Sequence, residues 1–249
     1  MDDDSRMTDP TQRVWWRIDL LVALAGAAAI GLWDASGLDL VLMRHLADGS
    51  GFAMREHWFF SGVAHRGGYW ISVALFLIVL LSCVGPWHSR HLDRSRRIAW
   101  FSAMAACLLL IPALKHVSLT SCPWELAEFG GRASYVSHWA FGLADGGSGH
   151  CFPGGHASGA FAFLGGWFAW RDRRPRVAAA WLLGVVLLGM LFGLTQTVRG
   201  AHYFSHTLYT AWICWCLSAL LFGLIGRANS PAAPTTATDT PRPTPQGKT

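Results

Sequence analysis

Long apolar segments separated by short polar ones constrain this chain more than any other feature of its sequence. An α-helix needs about 20 apolar residues to cross a hydrocarbon core about 30 Å thick. Six segments approach that length, and the second and fourth are the shortest: Trp15–Trp33, Trp70–Val84, Ala99–Val117, Ala157–Trp170, Val177–Val198 and Thr207–Ile225. The sequence therefore predicts an all-α fold, a polytopic membrane bundle of six transmembrane helices.

The composition agrees with a membrane bundle, because 52% of the residues are hydrophobic and only 14% are charged. This profile excludes an ordinary soluble domain. The 14 tryptophans suit the membrane–water interfaces, where an apolar ring with one polar edge is stable. The formal net charge is +5, but the basic residues cluster in short loops between the apolar segments. We therefore expect the lipid bilayer as a partner and no nucleic acid.

With six spans, twelve arginines flank the predicted spans on the same side. They are Arg6, Arg13, Arg17, Arg90, Arg94, Arg96, Arg97, Arg171, Arg173, Arg174, Arg176 and Arg227. Cytoplasmic loops carry an excess of basic residues, so this side and both termini are predicted to be cytoplasmic. The loops that hold Cys122, His156 and His202 then face the other way. We expect a multi-pass protein of the bacterial inner membrane whose functional loops face the periplasm or exterior.

The pattern predicts three parts: a cytoplasmic N-terminal segment, 1–14, a six-span membrane domain, 15–226, and a tail, 227–249. Pro, Thr and Ala dominate the tail, which is therefore predicted to be disordered and cytoplasmic. Two stretches between spans, Asp34–Tyr69 and Ser118–Ser148, are too polar to cross a membrane. We expect helices in the first, which either lie at the interface or form a packed cap over the bundle, and an external loop with short helices in the second.

Two of the six cysteines, Cys122 and Cys151, fall in the external loops. An oxidising compartment favours disulfides, so we hypothesise a Cys122–Cys151 bond, with two free thiols as the alternative. The remaining cysteines fall within spans, where they act as small apolar residues. No CxxC pair or histidine–carboxylate cluster lies in one loop, so no metal site is predicted.

The first candidate site lies around Pro153-Gly-Gly-His156. Glycines just before a helix start let backbone N–H groups face an anion, and the helix N-terminus adds partial positive charge. His156 is then placed to protonate a leaving oxygen, although a glycine-rich turn with an incidental histidine is the alternative. Lys115 ends the third span on the same side, as a phosphate-binding cation or as a lysine that only reaches towards the interface.

The second candidate site is Arg199-Gly-Ala-His202-Tyr-Phe-Ser-His206. If this stretch is helical, the three charged or titratable side chains share one face. Arg199 is predicted to bind phosphate oxygens, and His202 to attack phosphorus or act as a base, with His206 or a carbonyl fixing its tautomer. The alternative is a capping arginine with interfacial histidines.

Three stretches together resemble the signature motifs of the type 2 phosphatidic acid phosphatase superfamily, which includes the vanadium haloperoxidases. They are Lys115 followed after six residues by Cys122-Pro123, then Pro153-Gly-Gly-His156, and then Gly200-Ala-His202-Tyr-Phe-Ser205. The resemblance covers roughly 110–210 and implies a phosphatase that needs no metal or other cofactor and forms a phosphohistidine. It implies His202 as nucleophile and His156 as acid. Lys115 and the amides of Gly154 and Gly155 would cradle the phosphate.

The chain departs from the family pattern at four positions. Cys122 and Gln196 replace arginines, Gly154 replaces a serine, and His206 replaces an aspartate. The sequence offers substitutes for the lost groups. For the arginines they are Arg199 and then Arg132, and for the carboxylate they are Asp145, Glu125 or His206 itself.

These observations predict an integral membrane lipid phosphate phosphatase that hydrolyses a phosphomonoester or pyrophosphate. Two alternatives stay open at this point. A lipid phosphotransferase would use the same intermediate with a lipid hydroxyl in place of water. A non-catalytic protein would bind phospholipid headgroups through the same cradle.

Overall fold

A computed structural model describes residues 10–84 and 92–228, so most of the predicted N-terminal segment and tail lie outside the described residues. Helices follow one another through those two ranges: α1 (Pro10–Ser36), α2 (Leu38–Leu46), α3 (His65–Val84), α4 (Arg94–Val117), α5 (Gly155–Phe161), α6 (Gly165–Trp170), α7 (Pro175–Val198) and α8 (Phe204–Ala228). Within them the structure contains no strand, and the predicted all-α class is confirmed.

Short turns of other helix types join the α-helices. A π-helical turn, Phe59–Ala64, leads into α3, and 3₁₀ turns occur at Pro123–Glu125, Ala127–Phe129 and Ala162–Leu164. The loop turns occur where Asp34–Tyr69 and Ser118–Ser148 were predicted to contain short helices. The Ala162–Leu164 turn joins α5 to α6, so that residues 155–170 form one continuous helical segment.

Five helices are long and apolar enough to cross a bilayer, as expected of a membrane protein: Val14–Ser36, Phe59–Val84, Arg94–Val117, Pro175–Val198 and Phe204–Ile225. Their surfaces expose many large apolar side chains, among them Leu109, Leu187 and Leu224. The second of these helices begins at Phe59, and the prediction that it begins at Trp70 was wrong. The apolar turn Phe59–Ala64 runs directly into α3, so the helix includes residues that were assigned to the preceding polar stretch.

The predicted fourth span, Ala157–Trp170, lies in the helical segment 155–170, which is not among those five helices. At about 1.5 Å per residue it is about 24 Å long, which is short for a span. It is almost wholly buried against α4, α7 and α8, and its small residues permit close packing. A Cβ on Gly165 would lie 2.8 Å from Cδ1 of Trp100, so this position requires glycine.

Ion pairs tie the helices together at one end of the bundle. The pairs join Arg96 to Asp172 at 2.6 Å, Arg171 to Asp19 at 2.6 Å, and Arg173 to Asp93 at 2.7 Å. Asp93 also caps α4, since its carboxylate accepts a hydrogen bond from the backbone N–H of Arg96. The arginine-rich segments that the sequence predicted on one side therefore meet in space.

A second cluster of buried apolar residues lies outside the main core. It joins α2 and the following loop to the 3₁₀ turns and to the segment before α8, through Met43, Phe52, Leu126, Phe129, Ala133 and Tyr203. Arg44 on α2 pairs with Glu128 at 2.6 Å across the same contact. These loops are thus packed against one another rather than extended from the bundle.

Candidate active site

The C-terminal end of α4 and the N-terminal end of α5, which carry the first two motifs, meet in the structure. Lys115 lies in the last turn of α4, and His156 lies in the first turn of α5. The ammonium of Lys115 is 3.7 Å from the position that a Cβ on Gly155 would occupy. The first-turn N–H groups of a helix have no partner within it, so a cation and free backbone donors converge on one point.

A cavity of about 600 Å³ opens at this point between α3, α4, α5 and α7. Lys115, Gly155 and His156 line one part of it. Apolar side chains line much of the rest: Trp70, Val73, Phe76, Leu108 and Phe192. Close helix packing frames the cavity, because a Cβ on Gly159 would lie 2.7 Å from the hydroxyl of Ser72. The cavity therefore combines a basic, polar part with an apolar wall.

His202 lies behind the cavity rather than in its lining. Its ring centroid is 6.5 Å from that of His156, and the residue is only 3% exposed. Cys151 Sγ lies 3.4 Å from Nδ1 of His202. Cys122 and Cys151 form a disulfide, the pairing hypothesised from the sequence, with Cα atoms 5.1 Å apart. The disulfide thus packs against Nδ1 of His202. Nε2 is the ring nitrogen that this contact does not cover.

Burial, together with the charges of Lys115 and His156, lowers the pKa of His202 from 6.5 to about 3. A desolvated imidazole next to cations resists taking up a proton. His202 is therefore neutral at physiological pH, and its unprotonated nitrogen keeps a lone pair. That is the state that nucleophilic attack requires.

His206 is fully buried in the first turn of α8. Its Nδ1 donates a hydrogen bond to the carbonyl of Cys151 at 2.9 Å, which leaves the proton off Nε2. Among the described residues, Nε2 has no hydrogen-bond partner and no hydrogen bond joins His206 to His202. His206 therefore fixes the Cys151 segment and does not contact the candidate nucleophile by a hydrogen bond.

The sequence model of the PAP2 superfamily matches residues 98–230, just over half of the chain. This chain belongs to the PAP2 superfamily. The matched region runs from α4 to α8, and it contains Lys115, His156 and His202. PAP2 proteins are phosphatases that act on phosphate esters, so at the family level this one is a phosphoric monoester hydrolase. Comparisons with curated proteins and with solved structures return no match.

In this PAP2 protein, the backbone amide of Gly154, which was predicted to bind phosphate, forms a hydrogen bond within the protein. The N–H of Gly154 donates to the carbonyl of His206 at 3.2 Å, and the carbonyl of Gly154 accepts from the Thr210 hydroxyl at 3.0 Å. Gly154 thus ties the loop before α5 to α8, and its amide is not available for phosphate. Of the predicted pair, the amide of Gly155 remains.

Arg199, His202 and His206 do not share one helix face, because α7 ends at Val198 and α8 begins at Phe204. Gly200 turns the chain between the two helices with a φ of 72°, a conformation that favours glycine. The stretch is therefore not one helix, and the shared face that a helical conformation would give does not form.

Arg199 does not line the cavity. Its Nε donates to the carbonyl of Arg55 at 2.8 Å, and one terminal nitrogen donates to Oε1 of Gln196 at 3.2 Å. Gln196, the position at which the family has an arginine, does line the cavity. Arg199 therefore orients Gln196, whose amide nitrogen keeps two N–H donors.

The carboxylates proposed to replace the missing aspartate form hydrogen bonds within the loops instead. Asp145 accepts from the backbone N–H and hydroxyl of Ser121 at 2.6 and 2.7 Å, and Glu125 accepts from the backbone N–H of Cys122 at 3.0 Å. Arg132 is exposed and does not line the cavity. None of the three is positioned as a member of the site.

Sequence reasoning missed a polar cluster behind His206. His138 Nε2 lies 3.3 Å from Asp34 Oδ2, and this oxygen also accepts from the Tyr209 hydroxyl. The His138 ring is 5.7 Å from that of His206 and stacks on Phe152. The only sequence signal was an aspartate at the end of the first span, and nothing in the sequence linked it to His138.

Cys122, Cys151 and His202 each offer an atom of the kind that binds metals, all within 4.8 Å of one another. Metal binding by cysteine requires a thiolate. Because both sulfur atoms are in the disulfide, neither is a thiolate, and the residues do not fit a metal in this state.

Proposed function

We propose that this protein is a membrane lipid phosphate phosphatase that hydrolyses a lipid phosphomonoester or pyrophosphate through a phosphohistidine on His202. The observation that carries the proposal is the meeting of Lys115, Gly155 and His156 at one part of a largely apolar cavity. A phosphate at the basic part and an acyl or prenyl chain along the apolar wall would complement both surfaces. A soluble phosphate ester would leave the wall of Trp70, Phe76 and Phe192 without a partner.

In the proposed reaction, Nε2 of His202 attacks phosphorus while Lys115 and the Gly155 amide neutralise the oxygens of the phosphoryl group. His156 protonates the leaving oxygen as its bond to phosphorus breaks. Water then attacks the phosphohistidine, with His156 as the base, and releases inorganic phosphate. No step in this scheme uses a metal ion or other cofactor.

The proposal includes the arrangement in the membrane. We infer six spans, of which 155–170 is a short central one surrounded by the five longer helices, within a membrane domain of residues 15–226. The packed loops around Met43 and Leu126 would form an external cap, and the site would face the periplasm of a bacterial inner membrane. Residues 1–14 and 227–249 would be cytoplasmic.

The test is phosphate release from four lipids by purified protein in detergent with EDTA. The lipids are phosphatidic acid, phosphatidylglycerol phosphate, a polyprenyl diphosphate and lipid A. We expect turnover of at least one lipid, and a loss of about 10³-fold or more in kcat for His202→Ala. His156→Ala should lose about 10²-fold, as expected for removal of a general acid.

Arg199→Ala separates a direct role of this arginine from an indirect one. Because Arg199 acts through Gln196 in the structure, we expect a loss of about tenfold, smaller than removal of a direct phosphate donor causes. A wild-type protein inert on all four lipids would overturn the phosphatase proposal. A non-catalytic headgroup binder would then be the better description if His202→Ala still bound lipid phosphate.

A further inference from the structure

We propose that Arg66 recognises an anionic leaving group, so that this enzyme prefers lipid phosphates whose leaving group carries a negative charge of its own. The inference rests on the proposed phosphatase function and deepens it. It assigns a specificity-determining residue outside the three motifs and outside the region that the family model matches.

Arg66 lies in the first turn of α3 and lines the same cavity as Lys115 and His156. Side chains on a helix point back towards its N-terminus. Accordingly, a terminal guanidinium nitrogen lies 3.4 Å from the position that a Cβ on Gly62 would occupy. The charge of Arg66 is thus directed along the π-helical turn that precedes α3.

The arginine-rich segments explain orientation in the membrane, but Arg66 does not belong to them. They meet at the end of the bundle where Asp19, Asp93 and Asp172 pair with them. Arg66 instead lies at the end where α4 finishes and α5 begins, since it lines the cavity with Lys115 and Gly155. An arginine at this end needs a different explanation.

Charge balance within the cavity points to an anionic ligand. Two basic side chains, Arg66 and Lys115, line it together with His156, and none of the described lining residues is acidic. Within the described residues, 10–84 and 92–228, the Arg66 side chain forms no ion pair or hydrogen bond. A ligand that brings one anionic group to Lys115 and a second to Arg66 would complement the cavity better than one with a single phosphate.

The position of the histidines decides which part of the substrate meets Arg66. His156, the proposed acid, lines the cavity, whereas His202, the proposed nucleophile, lies behind it. The phosphoryl group is therefore held near Lys115, and the leaving group extends into the cavity. Arg66 is on the side of the leaving group.

A cation on that side has a defined chemical effect. As the bond from phosphorus to the leaving oxygen breaks, negative charge develops on that oxygen until His156 supplies the proton. If the leaving group already carries a phosphate or phosphodiester charge, Arg66 offsets the repulsion between that charge and the developing one. A neutral leaving group has no such repulsion, so Arg66 stabilises its departure little.

The experiment compares three lipids as substrates of the full-length protein in detergent with EDTA. A polyprenyl diphosphate releases a monophosphate, phosphatidylglycerol phosphate releases a phosphodiester lipid, and phosphatidic acid releases a neutral diacylglycerol. We expect wild-type kcat/KM to be at least about tenfold higher on a lipid with an anionic leaving group. Arg66→Ala should lose about tenfold on that lipid and less than about threefold on phosphatidic acid, and Arg66→Lys should keep part of the preference.

Arg44→Ala is the matched control, because Arg44 is an exposed arginine on α2 that pairs with Glu128 and does not line the cavity. Selective loss on the diphosphate identifies a second phosphate as the recognised group, and selective loss on phosphatidylglycerol phosphate identifies a phosphodiester. An equal loss on all three lipids, or no loss on any, overturns the proposal while the phosphatase function stands. If the wild type is inert, the phosphatase function itself has failed.

Discussion

His202 shows how a single side chain acquires its chemistry from its surroundings. It is buried, its Nδ1 faces the sulfur of Cys151, and Lys115 adds positive charge. Burial, and to a smaller extent the charge of Lys115, disfavour the imidazolium, so the pKa falls from 6.5 to about 3. A histidine exposed at the membrane interface would instead be partly protonated near neutral pH.

The lowered pKa of His202 predicts acid instability. Below its unfolded pKa of 6.5, the unfolded chain binds a proton that folded His202 does not bind until about pH 3. Stability should therefore fall as pH decreases from 6.5, by on the order of 1 kcal/mol at about pH 5.5. We expect the melting temperature in detergent to fall with pH in the wild type and to fall less steeply in His202→Gln.

His138 contributes in the same direction, because burial lowers its pKa despite the opposing charge of Asp34. His138→Gln should therefore also reduce the pH dependence, and it serves as the comparison. Identical slopes in wild type and His202→Gln would show that His202 is protonated in the folded protein at these pH values.

Among the structural elements, the disulfide-linked loops and helix α5 position the site together. The loop after α4 and the loop before α5 are joined by the Cys122–Cys151 disulfide and by the hydrogen bond from Cys151 N–H to the Thr120 carbonyl. Cys151 then contacts His202 through its sulfur and His206 through its carbonyl. Covalent constraint in the loops is thus transmitted directly to the candidate nucleophile.

Removal of the disulfide should weaken both stability and activity. Closing a loop with a sequence separation of 29 stabilises a protein by about 3–4 kcal/mol in the chain-entropy model. We expect Cys122→Ser with Cys151→Ser, or reduction of the wild type, to lower the melting temperature by several degrees and to lower kcat. Thermal unfolding and phosphate release measure the two effects.

Cys216→Ser is the control, since Cys216 is a half-buried free thiol on α8. Cys216→Ser should change neither the melting temperature nor kcat appreciably. Unaltered stability and kcat in the double serine variant would mean that the packing around Asp145 and Ser121 alone holds the loops.

At the scale of the whole molecule, the bundle has two chemically different ends. One end carries the arginine–aspartate pairs that link α1, α4 and the α6–α7 connection. The other carries Lys115, the two histidine motifs and the packed loops. The excess of basic residues at the first end supports the proposal that this end is cytoplasmic.

Cysteine labelling tests this orientation. Arg132→Cys and Arg176→Cys place exposed thiols at the two ends, in the loop after α4 and at the start of α7. With a membrane-impermeant maleimide on intact spheroplasts, we expect labelling of Arg132→Cys and none of Arg176→Cys until the membrane is permeabilised. The reverse pattern would place the site in the cytoplasm.

The helices could be predicted from the sequence because hydropathy over about 20 residues is a local property. The same holds for the glycine turn that starts α5 and for the convergence of Lys115 with His156, which the span topology already implied. Helix boundaries were less predictable. The apolar turn before α3 and the end of α7 at Val198 depend on the backbone conformations that residues such as Phe59 and Gly200 adopt in the packed structure.

Hydropathy and motif spacing are enough to predict that this chain forms a membrane helix bundle with its PAP2 motifs at one end. Which side chains face the cavity depends on packing in three dimensions. It placed Arg66 there, turned Arg199 towards Gln196, used the Gly154 amide for α8 and set His138 beside Asp34. Those contacts join residues far apart in the chain, and the packing that creates them leaves no local pattern in the sequence.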